Sequence, residues 1–190
     1  MNKTAIIYLS PYDILRPRTN QVSDVRFCEG FAQNGCEVHL IVPTVERADN
    51  ILPGEIAQVY GLEQALNYHF LDTQFKADVS GKRNLAKVGW LATKKALALV
   101  RSLRGSNITI ISRNAPLLQL LLLWKKWLPG LKGVQIIHWA HEYKSRKSYR
   151  RIYSLCDGIL ATNSSIIHDM CAATGIPTNK TCVKIGRAHV

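Results

Sequence analysis

The amino-terminal region, residues 1–43, contains two short apolar runs separated by a polar loop and a segment with helical spacing. The runs span residues 4–10 and 38–43, the loop spans residues 11–20, and the helix is predicted at residues 22–33. A strand–loop–helix–strand unit of this kind buries both strands in a parallel sheet. Because open α/β sheets bind ligands at the carboxyl ends of their strands, this loop is expected to face a ligand.

Apolar runs and helical segments continue to alternate along the rest of the chain. Further strands are predicted at residues 68–71, 108–112, 134–139 and 158–162, and further helices at residues 84–103, 116–128, 145–155 and 164–174. Residues 44–58 are predicted to form a loop or insertion. Ser164 and Ser165 are expected to cap the last helix, and Gly175 to end it. The alternation predicts an α/β fold with a doubly wound, Rossmann-like, mostly parallel sheet.

Composition limits the size of the hydrophobic core and indicates the kind of partner that the chain can bind. With 190 residues, of which 47% are apolar, the chain is long enough for one well-buried domain. Its formal net charge of +12 favours an anionic partner, such as a nucleotide phosphate, a phospholipid surface or nucleic acid. No apolar run reaches the length of a membrane span, and no signal-peptide pattern is present, so a soluble or peripheral protein is expected.

The cysteines are odd in number and contain no CxxC pair, which argues against a disulfide framework or a metal site. They are expected to be reduced, buried thiols of a cytosolic protein. The five residues are Cys28, Cys36, Cys156, Cys171 and Cys182.

Three segments of the chain have the order of elements and the residue patterns of a known family. Residues 10–43 contain a loop and a helix, followed by a strand that starts with Gly-x-Glu-Val at residues 35–38. Residues 136–142 contain a strand that ends in the dipeptide His-Glu. In residues 156–164 an aspartate precedes an apolar strand, and a serine follows that strand. Together they resemble the amino-terminal domain of GT-B glycosyltransferases, specifically glycosyltransferase family 4. The family's opening loop commonly contains a Gly-Gly pair, whereas here residues 16–20 offer side-chain donors instead.

The resemblance implies an enzyme that moves a hexose from a nucleotide diphosphate sugar to a hydroxyl of a glycan or lipid-linked glycan. It implies retention at the anomeric carbon, no metal and no cofactor besides the nucleotide sugar as co-substrate. Residues 1–184 would be the acceptor-side domain, with the carboxyl-terminal nucleotide-sugar domain absent, so the chain alone is expected to be inactive. Residues 185–190 match the translation of a widely used sequencing-library adapter and are expected to be a non-native tail.

Candidate binding residues follow the first strand. Arg16, Arg18, Thr19 and Asn20 offer guanidinium, hydroxyl and amide donors near a helix amino terminus, which suits a diphosphate or a polyhydroxyl acceptor. The alternative is a solvated loop that its prolines stiffen.

A second group of candidates follows the later strands. His141 is the expected catalytic residue, because a histidine there can orient a hydroxyl or a phosphate, with Glu142 beside it. Alternatively, His141 packs against Trp139 while Glu142 caps the next helix. Arg113, after the fourth strand, either contacts acceptor or phosphate or belongs to a helix-entry turn.

The remaining histidines are not candidate site residues. His138 is expected to be a packed core residue. His39, His69 and His168 show no spacing typical of metal ligands, so no metal site is predicted.

The helix predicted at residues 145–155 is basic and aromatic, and the leucine-rich helix at residues 116–128 precedes it. Such a pair would suit an enzyme resting on anionic lipid at the inner face of the plasma membrane. The alternatives are a solvated face for the basic helix and a buried crossover for the apolar one. The residues expected to face the membrane are Lys144, Arg146, Lys147, Arg150 and Arg151.

Two other classes of function compete with this interpretation. A nicotinamide-dependent oxidoreductase is disfavoured because no GxGxxG follows the first strand, and Gly30 is the only glycine between Thr4 and Asn34. A non-catalytic basic module that binds nucleic acid or anionic membrane stays open as the alternative. No nucleic-acid motif is present, so no nucleic-acid partner is expected.

Overall fold

The computed structural model describes residues 3–15, 18–44, 53–73 and 82–183. Its strands form one seven-stranded sheet in the order β3-β2-β1-β4-β5-β6-β7, and every pair of neighbours is parallel. The predicted sheet architecture is confirmed. The strands are β1 Thr4–Leu9, β2 Glu37–Thr44, β3 Asn67–Asp72, β4 Asn107–Ser112, β5 Gln135–Ala140, β6 Gly158–Ala161 and β7 Thr181–Val183.

Helices connect consecutive strands. They are α1 Thr19–Gln33, α2 Pro53–Tyr60, α3 Lys82–Ser102, α4 Ala115–Lys125, α5 Lys147–Leu155 and α6 Ser164–Thr174, with short 3₁₀ turns at Pro129–Leu131 and Thr178–Lys180. None of the helices described is long and apolar enough to cross a membrane.

The sheet separates two apolar cores. Tyr8 of β1 packs with Val25 of α1 and Tyr60 of α2 on one face, and Ile7 packs with Leu118 of α4 on the other. Adjacent residues of a strand point to opposite faces, so a central strand covered on both sides is apolar throughout. Helices α3 to α6 cover the second face, and the winding changes side between β1 and β4. This switch point opens a crevice at the carboxyl ends of those two strands.

Three predicted boundaries are wrong. Helix α2, Pro53–Tyr60, begins inside the segment at residues 44–58, which is predicted to form a loop or insertion, and ends two residues beyond it. Helix α1 begins at Thr19, so Thr19 and Asn20 belong to its first turn rather than to the loop before it. Helix α5 begins at Lys147, two residues later than predicted, and the preceding residues form a loop.

The last helix confirms one terminal signal and corrects another. Gly175 has a φ of 68°, the left-handed conformation that glycine adopts without a Cβ penalty, and it ends α6 as predicted. The amino-terminal cap is Asn163, whose Oδ1 accepts a hydrogen bond from the Ile166 amide at 3.0 Å. The prediction that Ser164 and Ser165 cap this helix is therefore wrong.

The cysteines are all free thiols. Cys28 and Cys156 are buried as predicted, and burial raises the pKa of Cys156 to about 12. Cys36 and Cys171 are only half-buried, and Cys182, on the edge strand β7, is exposed, so the prediction of burial is wrong for these three residues.

Candidate functional site

A cavity of about 250 Å³ lies at the carboxyl ends of β1, β4 and β5, beside the switch point of the sheet. Loops and helix starts that follow these strands supply its wall, as expected for an open α/β fold. The lining residues are Tyr12, Asn20, Arg113, Asn114, Ala115, Pro116, His138, His141, Glu142, Lys144, Tyr149 and Tyr153.

A buried carboxylate lies beneath this cavity. Asp24 of α1 accepts hydrogen bonds from the Tyr8 hydroxyl at 2.8 Å, the Ser10 hydroxyl at 2.9 Å and Nη1 of Arg113 at 2.9 Å. Burial raises the pKa of Asp24, and the Arg113 guanidinium opposes that rise. Because all three partners donate, the surroundings are arranged for the ionised carboxylate.

Arg113 joins the floor of the cavity to its wall. Besides Asp24, its Nη1 donates to the carbonyl oxygen of Asn20 at 3.2 Å, and its guanidinium carbon lies 5.3 Å from the centre of the Trp139 ring. Only 10% of the side chain is exposed. The arginine is therefore held by an ion pair, a backbone oxygen and a ring face.

His138 is a packed core residue, as predicted, and it also forms part of the cavity wall. Its Nδ1 lies 3.1 Å from the Ser112 carbonyl oxygen, which can only accept, so Nδ1 holds the proton of the neutral ring. Burial lowers its pKa to about 4. The ring stacks on Tyr153 with 5.3 Å between centroids.

His141 and Glu142 both line the cavity. The His141 ring packs against Trp139, with centroids 4.5 Å apart, which matches the contact in the alternative interpretation. Glu142 does not cap α5; its Oε1 pairs with Nζ of Lys144 at 2.8 Å, and that part of the alternative is wrong.

The structure does not bring together the predicted hydrogen-bond donors that follow the first strand. Asn20 lines the cavity, whereas Arg18 and Thr19 are exposed at the start of α1 and are not among its lining residues. Arg18 contributes its carbonyl oxygen to the helix by accepting from the Val22 amide. Arg16 lies outside the described residues.

Lys144 was predicted to face a membrane, but the structure places it in the cavity wall. Its Nζ lies 5.4 Å from the centre of the Tyr149 ring, and the hydrogen bond to Glu142 raises its pKa. The prediction also missed Tyr149 and Tyr153 as cavity residues. Their i,i+4 spacing, which places two side chains on one helix face, was a visible signal.

The other basic residues of this region, Arg146, Lys147, Arg150 and Arg151, are exposed. Arg151 borders a small groove of about 130 Å³ between α4 and α5, which Leu123 and Ile152 also line. Most leucines of α4 are buried, as the buried-crossover alternative stated.

Two histidines form a pair that the sequence analysis did not predict. His39 Nδ1 lies 3.0 Å from His69 Nε2 across β2 and β3, and His39 Nε2 lies 3.1 Å from Glu37. Burial lowers the pKa of His69 to about 4. In the described ranges, no three His, Cys, Asp or Glu side chains are grouped as metal ligands would be.

No protein-family model and no curated protein matches this sequence. Solved structures with a similar fold include Phytolacca americana UGT2 complexed with UDP-2-fluoro-glucose and pterostilbene, with a TM-score of 0.60 and 11% identity over 98% of this chain and 54% of that one. Another is Glycyrrhiza uralensis UGT73P12 complexed with glycyrrhetinic acid 3-O-monoglucuronide, with a TM-score of 0.53 and 10% identity over 95% and 48% of the two chains.

A third similar structure is the amino-terminal domain of Candida albicans trehalose-6-phosphate phosphatase, with a TM-score of 0.51 and 16% identity over 90% of this chain and 43% of that one. The chain thus spans about half the length of the solved structures that it matches. At these identities the likeness concerns the fold. The chain has a glycosyltransferase-like, Rossmann-type α/β fold, in agreement with the GT-B architecture expected from its sequence.

Proposed function

We propose that this chain is the acceptor-binding half of a glycosyltransferase of the family 4 type. The complete enzyme would transfer a hexose from a nucleotide diphosphate sugar to a hydroxyl of a glycan or lipid-linked glycan. The observation that supports the proposal most strongly is the convergence of Asn20, Arg113, His141 and Glu142 on one cavity at the sheet's switch point. Ligands of doubly wound folds bind at this position.

The roles in this proposal follow from the chemistry of the lining. His141 contacts the acceptor hydroxyl or the leaving phosphate, where an imidazole can accept or donate a proton. Asn20 and Glu142 hold neighbouring hydroxyls. Arg113 stabilises the negative charge that develops as the diphosphate leaves.

The proposal also covers the domain organisation, stereochemistry and location of the complete enzyme. Residues 1–184 are the acceptor-side domain, and a separate domain binds the nucleotide sugar, so this chain alone does not catalyse transfer. Transfer retains the anomeric configuration and needs no metal or further cofactor. The protein is cytoplasmic, and the exposed side chains of Arg146, Lys147, Arg150 and Arg151 face an anionic membrane surface.

The proposal is tested by titrating the ¹⁵N-labelled chain with methyl glycosides and following amide shifts. We expect shifts to concentrate at residues 10–12, 112–114 and 140–144. His141→Ala should weaken binding by about tenfold, while His168→Ala, an exposed histidine on α6, should not. RNA binding with a steep salt dependence and no response to any glycoside would favour the non-catalytic basic module instead.

A further inference from the structure

Glu37, His39 and His69 form a hydrogen-bonded chain that the proposed function does not use. Glu37 and His39 lie near the start of β2, and His69 lies near the start of β3, whereas the cavity lies at the carboxyl ends of β1, β4 and β5. Strand β3 is at an edge of the sheet and pairs with β2. We infer that these three residues are a proton-operated latch, which holds β3 on β2 until the histidine pair takes up its second proton. The inference concerns a conformational device and does not depend on the proposed sugar transfer.

Both histidines point towards helix α3. Val38 and Leu40, the neighbours of His39, belong to the core beneath α1 and α2, and side chains alternate along a strand, so His39 faces the other side of the sheet. Here His39 is only 7% exposed, and His69 on the neighbouring strand is half-buried. At such positions a charged ring is unfavourable unless a partner offsets its charge.

The two rings meet end to end. His39 Nδ1 lies 3.0 Å from His69 Nε2, the ring centroids are 5.2 Å apart and the ring planes differ by 23°. This centroid separation is close to the largest that two imidazoles with these nitrogens in contact can have, so the two nitrogens point at each other. One proton fits between them, whereas a metal ion bound in line by both nitrogens would need about 4 Å. The contact is therefore a hydrogen bond.

Glu37 determines which ring donates. The side-chain hydrogen bond from Lys3, at 2.9 Å, holds the pKa of Glu37 below its usual value, so the carboxylate is ionised and can only accept. His39 Nε2, 3.1 Å from Oε1 of Glu37, must therefore donate. In a neutral His39 this leaves Nδ1 as an acceptor, so His69 donates to it through Nε2.

The same hydrogen bonds limit the number of extra protons that the pair can hold. When a first proton binds at Nδ1 of His69, the shared proton can cross to Nδ1 of His39, and the positive charge then lies beside Glu37 with every hydrogen bond kept. A second proton would make both facing nitrogens donors, 3.0 Å apart. Burial, with Lys95 of α3 and His39 acting in the same direction, lowers the pKa of His69 to about 4, which agrees with this limit.

The surroundings do not offset the second charge. Among the described residues, the charged groups that act on the pair are Glu37, Lys3 and Lys95, and Glu37 is already shared between Lys3 and His39. The doubly protonated pair therefore contains two imidazolium rings in contact. Separation of β3 from β2 relieves this repulsion, because both rings then reach water.

The first experiment detects the proton positions directly. Long-range ¹H–¹⁵N correlation spectra of the ¹⁵N-labelled 190-residue chain show which ring nitrogen of each histidine holds a proton. At pH 7.5 we expect both His39 and His69 to hold it at Nε2. On acidification His39 should become the imidazolium while the proton of His69 moves to Nδ1. A proton on Nδ1 of His39 at pH 7.5, or a charge on His69 before His39, overturns the inference.

The second experiment measures the opening of β3 by amide hydrogen exchange, corrected for the intrinsic effect of pH. Once β3 leaves β2, each ring titrates in water at its ordinary pKa near 6.5. Opening of the singly protonated latch then takes up one proton, so protection of the β3 amides should fall by about tenfold per pH unit between pH 6 and pH 4.5. The amides of β5, in the interior of the sheet, are the reference for global stability.

Two variants identify the group responsible. His69→Gln removes one titrating ring but keeps a side chain that can accept from or donate to His39, so protection of β3 and β5 should change together with pH. His168→Gln, the same change at an exposed histidine of α6, should keep the excess loss at β3. The same excess loss in His69→Gln as in the unaltered chain, or no excess loss in the unaltered chain, overturns the inference. If His69→Gln does not fold, the spectra of the unaltered chain decide.

Discussion

Nη1 of Arg113 lies 2.9 Å from Oδ1 of Asp24, and this buried ion pair joins two elements that are 89 residues apart in the chain. It connects α1 to the end of β4 directly beneath the cavity. Asp24→Ala would leave a guanidinium unpaired in the interior and would also remove the acceptor of the Tyr8 and Ser10 hydroxyls. We expect a loss of about 3–5 kcal/mol in the free energy of unfolding, measured by urea denaturation.

A double-mutant cycle shows whether this cost comes from the pair itself. Asp24→Ala combined with Arg113→Met should be less destabilising than the sum of the two single changes, because the second change removes the charge that the first leaves unpaired. Asp169→Ala, at an exposed position, is the reference and should change stability by about 0.5 kcal/mol or less. Strict additivity of the two single changes would contradict the prediction.

The depressed pKa of His138 predicts a loss of stability on mild acidification. Burial lowers this pKa from 6.5 to about 4, with His141 and Lys144 acting in the same direction. Between pH 6.5 and pH 4 the His138 imidazole is protonated in the unfolded chain but stays neutral in the folded chain. The contribution of His138 is therefore fully present above pH 6.5 and is lost as pH falls towards 4, by on the order of 3 kcal/mol.

His138→Gln isolates this effect, because glutamine can still donate to the Ser112 carbonyl but does not titrate. The difference in unfolding free energy between the wild-type chain and this variant should shrink steadily from pH 7 to pH 4.5. Carboxylates titrate equally in both proteins and cancel from the difference. Parallel stability curves over this range would rule the mechanism out.

Much of the fold could be predicted because burial on both faces leaves continuous apolar runs. Strand β1 is such a run from Ala5 to Leu9, β4 contains three isoleucines interrupted by Thr109, and the neighbouring segments of the chain have helical spacing. Helix α2 could not be found in this way. It has eight residues, and among its described side chains, those of residues 54–60, Ile56 and Tyr60 are the buried apolar ones, which gives a single i,i+4 repeat.

The site was predictable only in part, because strand ends can be located from local pattern but side-chain pairing cannot. The positions of Arg113 and His141 follow from the ends of β4 and β5. The partner of Arg113 is a residue of α1 that nothing in the local sequence indicates. Lys144 lies in a loop that precedes the true start of α5, which is why it joins the cavity rather than the exposed basic face.

Asn163, Ser164 and Ser165 are consecutive residues of types that favour the amino-terminal cap of a helix. Mutation can therefore test which of them caps α6. Asn163 has an extended φ of −152°, and its side chain satisfies the Ile166 amide. Asn163→Ala should cost about 1 kcal/mol in the free energy of unfolding, whereas Ser164→Ala, which removes no cap, should cost about 0.5 kcal/mol or less. Chemical denaturation of the two variants decides between them, and equal losses would show that the cap is shared.

Asp157 is expected to have a local effect at the amino-terminal end of β5, whereas the cavity lies at the carboxyl ends of the strands. Its Oδ2 accepts from the backbone amide of Ile136 at 2.7 Å and pairs with Nζ of Lys125, which also donates to the Val134 carbonyl. Asp157→Ala should cost about 1–3 kcal/mol because a partly buried β5 amide loses its acceptor. Lys125→Met should cost less, since ion pairs that are partly exposed contribute little.

Hydrogen exchange separates these two roles of Asp157. In Asp157→Ala the Ile136 amide should exchange faster, by more than the change in global stability accounts for, while in Lys125→Met its protection should follow global stability alone. Thr109, whose hydroxyl contacts the exposed end of β5 through Gln135, offers a matched change in the neighbouring strand: Thr109→Val should leave Ile136 protection unaltered. Unchanged exchange at Ile136 in the Asp157 variant would mean that the sheet, rather than this carboxylate, protects the start of β5.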